Sequence, residues 1–502
     1  LGEAMWESLM RTLDSGTMGG DTGAGFRLVM LGVTLGGVFM VSALIGVLNN
    51  GLEDRLDQLR KGRSRVLESG HTVILGWSEQ IFAIVLELVQ ANANQPKPRI
   101  VVLGQKDKVE MEEALRDRVG DTGKTRIICR SGDPMEMGDL DIVGLNAARS
   151  IILLAPPGDE PDSAVIKTLL AILNNARRRP QPYHIVAEIR DPQNMGVAKM
   201  VGKDEVELIL VGGLISRIIA QTCRQSGLSI VYTELLDFGG DEIYFKEEPE
   251  LAGETLGYAL LAYPDSAVIG LRPAGGSPML NPPMDTPIRP GDKLILIAAD
   301  DDAIHLAERR ESELNIRADL IRAPQPAPAR PERTLLLGWN QSAAAIVREL
   351  DNYVAPGSEV IVVAHGDDAA ARLPGLGDAL TNQTLTFRPD DTTDRGVLDS
   401  LNVGQYDHLI LLCYDHLTPQ QADARTLITL LHLRDIAERT GQDLPIVSEM
   451  LDVRNRELAE VTRADDFIVS DKLISLMLSQ VSENKELNAV FADIFDPEGS
   501  EI

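Results

Sequence analysis

Cysteine is scarce in this chain of 502 residues, which contains only Cys129, Cys223 and Cys413. None of them forms a Cys-x-x-Cys pair or another metal-ligand spacing, which excludes a disulfide framework and fits a reducing cytosol. Basic residues are the minority charge, with 48 Lys and Arg against 76 Asp and Glu. Because nucleic-acid binding needs a basic footprint, we expect no nucleic-acid partner. The acidic excess fits either solubility or attraction of cations.

Long apolar runs are also scarce, and the one that stands out covers residues 26–48, with Arg27 as its sole charge. A run of about 20 apolar residues is long enough to cross a bilayer. Five basic residues follow it: Arg55, Arg60, Lys61, Arg63 and Arg65. This flank predicts a spanning helix in lipid with a cytoplasmic C-terminal side. The start at Leu1 lacks the features of a signal peptide, and we expect earlier transmembrane helices to precede it.

A short apolar segment, residues 5–13, and a Gly/Thr/Asp loop, residues 14–21, precede the predicted span. Ion filters use backbone carbonyls or acidic rings to replace the water shell of an ion. We therefore predict a pore helix followed by a selectivity filter. An interfacial helix and an ordinary loop before a membrane anchor is the alternative. The candidate pore residues are Thr12, Asp14, Gly16, Thr17, Gly19, Gly20 and Asp21.

Two adjacent glycines, Gly36 and Gly37, lie within the predicted span. They could bend the helix as a gating hinge, because glycine loosens helices. They could equally form a close-packing surface for a neighbouring helix. The sequence leaves both interpretations open.

The remainder of the chain contains an internal duplication. The segment HTVILGWSEQIFAIVLELV from His71 resembles RTLLLGWNQSAAAIVREL from Arg333. Further pairs of matching runs follow in the same order, beginning at Arg99 and Glu359, Leu145 and Leu401, Tyr183 and Leu444, and Leu214 and Leu473. Near-continuous apolar strands alternating with helical patterns are typical of a parallel sheet covered on both faces. We predict two doubly wound, Rossmann-like α/β domains.

These patterns predict the domain organisation. The segment between the two copies alternates short strands with Gly and Pro, which is typical of a small α+β domain. The predicted order is a pore segment in 1–50, a linker in 51–70, a Rossmann-like domain in 71–235, the α+β domain in 236–322, a Pro-rich linker in 323–332 and a second Rossmann-like domain in 333–502.

The turn after the first strand of each copy is where a Rossmann domain binds ligands. The candidate residues are Gly76 and Ser78 in the first copy and Gly338 and Asn340 in the second. A dinucleotide site needs further glycines so that the backbone can approach the pyrophosphate. Those glycines are missing, so the sequence disfavours a nucleotide.

Four acidic residues are candidate metal ligands. Glu188 and Glu449 end what we predict as the fourth strand of each copy, followed by Asp191 and Asp452. Ligands bind beyond the carboxyl ends of such strands, and carboxylates suit a hard cation such as Ca²⁺. Asp191-Pro192 and Asp133-Pro134 fit helix N-caps with Pro at the first helical position. We favour this capping interpretation for both aspartates, and Glu188 is the better candidate for a metal ligand.

The whole pattern resembles the CASTOR/POLLUX/SYM8 ion channels, in a bacterial-type form, and more broadly channels gated by RCK (regulator of K⁺ conductance) domains. The resembling residues are the loop at 12–21, the inner helix through 41–46, the twin Leu-Gly-Trp turns and residues 187–191. The resemblance implies a homotetramer with a cytosolic ring of RCK domains, conduction of K⁺ or other cations, and regulation by Ca²⁺. It also implies a multi-pass plasma-membrane protein with cytoplasmic C-terminal domains, and no enzyme activity.

The loop at 17–21 departs from the filter of K⁺-selective channels because it is shorter and lacks tyrosine, so strict K⁺ selectivity is not implied. One rival interpretation is a membrane-anchored, nucleotide- or ion-sensing regulatory subunit of a potassium transport system, which would not need the 14–21 loop. A second rival, an NAD-dependent oxidoreductase, is disfavoured by the incomplete glycine pattern and by the lack of a recognisable catalytic constellation.

Overall fold

The computed structural model describes residues 22–60, 62–158, 160–307, 329–365, 375–460 and 466–499, with isolated positions between these ranges. The predicted filter residues 12–21 and residues 323–328 of the predicted Pro-rich linker lie outside the described residues. Within the predicted pore helix, Met5, Trp6, Leu9 and Met10 are described, and they are helical and exposed.

Helix α1 (Ala24–Arg60) is 37 residues long. Its first part, Ala24–Val47, is long and apolar enough to cross a membrane. Large apolar side chains such as Leu28, Phe39 and Val47 are exposed along it, as a lipid-facing helix requires. The helix runs unbroken through Gly36 and Gly37 and continues into the predicted linker. The hinge therefore stays a prediction.

The first Rossmann unit is built on a parallel sheet in the order β3-β2-β1-β4-β5-β6. Its strands are β1 (Thr72–Leu75), β2 (Arg99–Gly104), β3 (Arg126–Ser131), β4 (Ser150–Leu153), β5 (Ile185–Ile189) and β6 (Val206–Leu210). Its helices are α2 (Ile81–Ala91), α3 (Lys108–Val119), α4 (Met137–Leu140), α5 (Pro161–Leu173) and α6 (Met195–Gly202). The strand order reverses beside β1, which is where such sheets bind ligands.

Two helices, α7 (Val211–Arg224) and α8 (Leu228–Leu236), lead from this unit into an antiparallel sheet of order β7-β10-β8-β9. Its elements are β7 (Glu242–Glu247), α9 (Leu256–Ala262), β8 (Ala267–Arg272), β9 (Met279–Leu280) and β10 (Lys293–Ala298). A separate core around Leu256, Leu294 and Leu296 holds this α+β unit together.

The second Rossmann unit repeats the first, with strand order β13-β12-β11-β14-β15-β16. Its strands are β11 (Arg333–Leu337), β12 (Ser358–Ala364), β13 (Gln383–Pro389), β14 (His408–Leu411), β15 (Ile446–Met450) and β16 (Asp466–Val469). Its helices are α10 (Ala343–Tyr353), α11 (Arg395–Ser400), α12 (Pro419–Thr440), α13 (Val453–Glu460), α14 (Ser470–Glu483) and α15 (Leu487–Ile494).

The sequence prediction missed two strands in each unit. Glu188 and Glu449 belong to the fifth strand, not the fourth. The missed third strands, β3 and β13, pair on one side only and carry polar residues such as Arg126 and Thr386. A strand at a sheet edge tolerates such residues, so its hydrophobic pattern is weak.

The two Rossmann units exchange helices. Helix α7 follows β6 of the first unit but packs against α10 and β14–β16 of the second. Helix α14 follows β16 of the second unit but packs against α2, β4 and β5 of the first. One apolar core consequently runs through both units, with Ile218 and Leu478 fully buried within it. Neither sheet is covered without the other half of the chain.

Candidate ligand-sensing site at the strand ends

Gly76 and Gly338 form equivalent turns after β1 and β11, with φ of +104° and +99°. A Cβ on Gly76 would lie 2.7 Å from the carbonyl oxygen of Leu154, and one on Gly338 would lie closer still to that of Leu412. The close approach of the neighbouring strand therefore requires glycine at both positions. This requirement is structural and applies with or without a ligand.

The carboxylate of Glu449 is buried beneath the second turn and is surrounded by donors. Its Oε2 accepts from Nδ2 of Asn340 at 2.7 Å and from the amide of Cys413 at 3.1 Å, and its Oε1 accepts from Ser470 at 2.6 Å. Burial raises the pKa of Glu449 to about 7, against the lowering effect of these hydrogen bonds. Burial and the three donors thus act on the carboxyl group in opposite directions, and its hydrogen bonds hold Asn340 and α14 together.

The equivalent Glu188 in the first unit is fully buried but has fewer partners. Its Oε1 accepts from the amide of Ala155 at 2.9 Å and lies 3.3 Å from Nη2 of Arg190. Its Oε2 has no hydrogen-bond partner among the described residues, and neither has the shielded hydroxyl oxygen of Ser78. Burial raises the pKa of Glu188, while the Arg190 charge opposes this rise. The duplicated sites therefore differ in how completely they are satisfied.

Asp191 and Asp452 lie in turns beyond these strands. The side chain of Asp191 accepts from the amide of Gln193 at 2.9 Å and caps a short 3₁₀ helix, Pro192–Asn194. Asp452 accepts from the amide of Arg454 at 3.0 Å. The capping interpretation of Asp191 matches this geometry.

Asp133 differs from its predicted role. Its side chain accepts from the amide of Met135 at 2.8 Å within a turn, and the next helix, α4, begins only at Met137. The predicted N-cap is therefore wrong. An Asx-turn satisfies the same local donor without a helix.

Two buried aspartates escaped the sequence analysis. Asp162 accepts from the amides of Arg190 and Asp191 and from Nδ2 of Asn194, each at 2.9 Å. Asp423 makes the equivalent contacts in the second unit, to the amides of Leu451 and Asp452 and to Asn455. The signal available in the sequence was the internal repeat. Asp162 and Asp423 occupy equivalent positions near the start of matching helices, and each is followed six residues later by a threonine, Thr168 and Thr429.

No gathered metal-ligand set includes the predicted acidic residues within the described part of the chain. The three carboxylates that approach within 4.8 Å of one another there are those of Asp300, Asp301 and Asp302, which are largely exposed. Ca²⁺ binding by Glu188, Asp191, Glu449 and Asp452 stays a prediction.

The segment between α1 and β1 is attached to the first Rossmann unit. Nη2 of Arg63 lies 3.1 Å from both carboxylate oxygens of Asp139. The carbonyl of Ser64 accepts from Nε of Arg130 at 2.6 Å, and the amide of Val66 donates to the carbonyl of Ile142 at 2.7 Å. These contacts attach the segment that follows α1 to β3, to α4 and to the turn after α4.

Residues 212–313 match the family model described as "Castor and Pollux, part of voltage-gated ion channel". The whole chain aligns with "Probable ion channel CASTOR" of Oryza sativa subsp. japonica at 31% identity over 539 residues, covering 60% of that protein. It also aligns along its whole length with "Probable ion channel POLLUX" of Arabidopsis thaliana at 30% identity, covering 65% of that protein.

The chain is therefore similar to CASTOR and POLLUX proteins along its whole length. It spans about three fifths of the length of the curated relatives it matches. The matched relatives are named as ion channels, which agrees with the expectation that this chain is not an enzyme. The length and apolar composition of helix α1 are compatible with a membrane protein.

Among solved structures, the human SLO3 gating ring superposes with a TM-score of 0.60 at 14% identity, covering 85% of this chain and 84% of that one. At this identity the similarity concerns the fold alone. It shows that the paired Rossmann units share the fold of that gating-ring structure.

Proposed function

We propose that this protein is the pore and ring portion of a homotetrameric cation channel of the plasma membrane. The channel conducts K⁺ and is also permeable to Ca²⁺. The observation that carries the proposal is helix α1, which continues from the apolar segment to Arg60 without interruption. The Arg63–Asp139 contact then joins this helix to the first Rossmann unit. Movement of that unit would be transmitted directly to the membrane helix.

Gating requires a difference between states. A ligand shifts a conformational equilibrium only if it binds the two states with different affinities. The exchange of α7 and α14 makes the contact between the Rossmann units extensive, and a change in their relative position would alter both strand-end sites. The ring is therefore the proposed sensor, and α1 the proposed output.

The first experiment is reconstitution of the full-length protein in planar bilayers. Reversal potentials measured in K⁺/Na⁺ and K⁺/Ca²⁺ gradients would identify the permeant ion. We expect a cation-selective current. Asp21→Asn should lower cation conductance or change selectivity, because acidic rings attract cations at a filter. Asp117→Asn, an exposed carboxylate on α3, is the matched control. An Asp21→Asn channel identical to wild type would contradict the filter assignment.

We further propose Ca²⁺ as the regulatory ligand, with Glu188 as the carboxylate that responds. Among the described residues Oε2 of Glu188 is the carboxylate oxygen of the duplicated pair that has no hydrogen-bond partner, whereas Glu449 already accepts three hydrogen bonds. Arg190 would have to leave Oε1 as the cation enters. Glu188→Gln should weaken Ca²⁺ modulation of the current, while Glu449→Gln should leave it intact. Unchanged Ca²⁺ modulation in Glu188→Gln would eliminate this site.

A membrane-anchored regulatory subunit is the second candidate, because the Rossmann units resemble sensor domains irrespective of a pore. Folded tetramers that carry no current under any ligand condition would favour it. A current from the purified protein would exclude it.

A further inference from the structure

A buried glutamate lies at the equivalent position of the first helix in each Rossmann unit. The repeat that starts at His71 and Arg333 places Glu87 on α2 and Glu349 on α10. Both helices pack against an exchanged helix, α2 against α14 and α10 against α7. Glu87 is 5% exposed, and the side chain of Glu349 is 15% exposed. Each carboxyl group is therefore held where the two halves of the chain meet.

The glutamate of the second copy faces an arginine, and that of the first copy has lost it. Nε of Arg217, on α7, lies 4.0 Å from Oε1 of Glu349. Burial raises the pKa of Glu349, and the charge of Arg217 opposes this rise. The matching runs at 214–217 and 473–476 read Leu-Ile-Ser-Arg and Leu-Ile-Ser-Leu. The counterpart of Arg217 on α14 is therefore Leu476, a fully buried apolar side chain.

Glu87 faces more negative than positive charge. Its Oε2 accepts from the amide of Phe238 at 3.1 Å, in the turn between α8 and β7. The charged groups that face it among the described residues are Asp237 in that turn, Lys472 on α14 and Glu242 on β7. Nζ of Lys472 lies 3.5 Å from Oδ2 of Asp237, so this cation is already shared. Burial raises the pKa of Glu87 to about 7, the Phe238 amide opposes this rise, and Asp237 adds to it.

We infer that a proton on Glu87 takes the place of the arginine of the second copy, and that it holds the exchanged helix α14 on the first Rossmann unit. When the proton leaves, a carboxylate without a cation of its own remains between α2, α14 and the turn before β7. A buried charge of this kind is unfavourable, and local opening of the contact hydrates it. Deprotonation therefore favours separation of α14 from α2. The contact of α7 with α10 is spared, because Arg217 stays charged opposite Glu349.

The closed contact of α14 with α2 binds this proton more tightly than the open one does. In the open contact Glu87 is hydrated and has its ordinary pKa of 4.5, whereas in the closed contact its pKa is about 7. Between these values the closed contact loses stability as pH rises, and above pH 7 the loss levels off. A single group with these two pKa values increases the opening equilibrium about tenfold between pH 6 and pH 8.

Hydrogen exchange of the α14 amides tests the proton site. It is measured by mass spectrometry on the full-length protein in nanodiscs and corrected for the intrinsic exchange rate at each pH. Between pH 6 and pH 8, opening of α14 should increase about tenfold more in wild type than in Glu87→Gln. Glu242 and Glu449, whose pKa values are also about 7, contribute equally to both proteins. Glu349→Gln, the same substitution in the second copy, is the matched control and should retain the wild-type pH dependence of α14.

Two results would overturn the inference: equal pH dependence of α14 in wild type and Glu87→Gln, or the same loss of pH dependence in Glu349→Gln. Lys472→Gln provides a second test, because it removes the cation that faces Glu87 from α14. The midpoint of the pH dependence should move to higher pH in Lys472→Gln. An unchanged or lower midpoint would contradict the assignment of the proton to Glu87. Melting temperatures verify the fold of each variant.

Current recordings separate the proton site from the channel proposal. The open probability of wild type should change between pH 6 and pH 8, and Glu87→Gln should lose part of this change. This consequence rests on the proposed channel function, whereas proton binding does not. If α14 shows the Glu87-dependent exchange in a protein that carries no current, the proton site stands and the channel proposal fails. If current is observed and Glu87→Gln leaves the exchange of α14 unaltered, the channel proposal stands and the proton site fails.

Discussion

Nδ2 of Asn340 donates to Oε2 of Glu449 across 2.7 Å, and no such bond joins the equivalent Ser78 to Glu188. The serine side chain is one bond-length shorter and its hydroxyl oxygen has no partner among the described residues. The duplication has therefore produced one satisfied buried carboxylate and one that retains a free oxygen. The two Rossmann units are structurally similar and electrostatically different.

The Asn340 contact should have a measurable effect on stability. Asn340→Ser removes a donor to a buried carboxylate, and we expect it to destabilise the fold by about 1–3 kcal/mol. Ser78→Asn offers Glu188 the donor that it lacks and should raise the melting temperature. Melting temperatures of the Asn340→Ser and Ser78→Asn proteins test the expected loss and the expected gain of stability. An unaffected Asn340→Ser protein would refute the importance of the contact.

Glu449 should make stability depend on pH. Its pKa in the folded state is about 7, above its ordinary value of 4.5. Between these values the folded state binds more protons than the unfolded state, so this contribution is complete below pH 4.5 and is lost as pH rises through 7. Glu449→Gln keeps a neutral side chain in place. Its free energy of unfolding relative to that of wild type should therefore rise by on the order of 2–3 kcal/mol between pH 5 and pH 8.

Melting temperatures of the purified protein at several pH values provide this measurement. Glu113→Gln, on an exposed position of α3, is the control and should follow the wild-type curve. Parallel curves for wild type and Glu449→Gln would mean that Glu449 titrates normally.

The exchanged helix α14 is anchored by an ion pair that crosses between the units. Both terminal nitrogens of Arg149 lie 2.5 Å from the carboxylate of Glu483. Burial raises the pKa of Glu483 while Arg149 lowers it. Arg149→Ala leaves a largely buried carboxylate without its cation, and we expect a loss of about 2–4 kcal/mol. Arg177→Ala breaks the exposed pair with Asp141 and should cost less than about 1 kcal/mol.

Denaturant unfolding monitored on both variants separates these two cases. A similar small loss in each would show that the Arg149–Glu483 pair does not hold the exchanged helix.

Asp162 and Asp191 should respond differently to substitution, although they are neighbours in the structure. Asp162→Ala removes three hydrogen bonds from a buried turn, and each unsatisfied donor costs about 1–3 kcal/mol. Asp191→Ala removes an exposed cap and should cost about 1 kcal/mol. Unfolding curves of the two variants show which substitution causes the larger loss of stability. A larger loss for Asp191 would indicate a role beyond capping.

The substitution Asp162→Asn is the control for size, since it retains the volume and one acceptor oxygen. The stability of the Asp162→Asn protein should lie between that of wild type and that of Asp162→Ala. A protein as unstable as Asp162→Ala would show that the charge, rather than the acceptor, matters.

Local patterns in the chain predicted much of the fold. The apolar run at 26–48 predicted the membrane helix, and the repeated Leu-Gly-Trp turns predicted two related sheets, because both signals depend on residues close in sequence. Edge strands β3 and β13 were missed because one-sided pairing leaves them polar. Asp133 was misassigned because an Asx-turn and a helix N-cap begin with the same Asp-Pro pattern.

The candidate site was only partly accessible to sequence reasoning. Gly76 and Gly338 were selected because each follows a strand, and Glu188 and Glu449 because each lies near the end of one. Such strand ends meet at one edge of a parallel sheet. Their hydrogen-bond partners, such as Ser470 and Arg190, could not be assigned in the same way. Which donor reaches a carboxylate depends on side-chain distances of a few tenths of an ångström.

The sequence by itself determined that the chain has a helix long and apolar enough to cross a membrane, a basic flank after it and two copies of one α/β unit, since periodicity and repetition are properties of neighbouring residues. Only the tertiary structure decided that α7 and α14 change places and that Glu449 is satisfied while Glu188 is not. These features arise from contacts between residues that are tens to hundreds of positions apart in the chain, where packing and burial set the outcome.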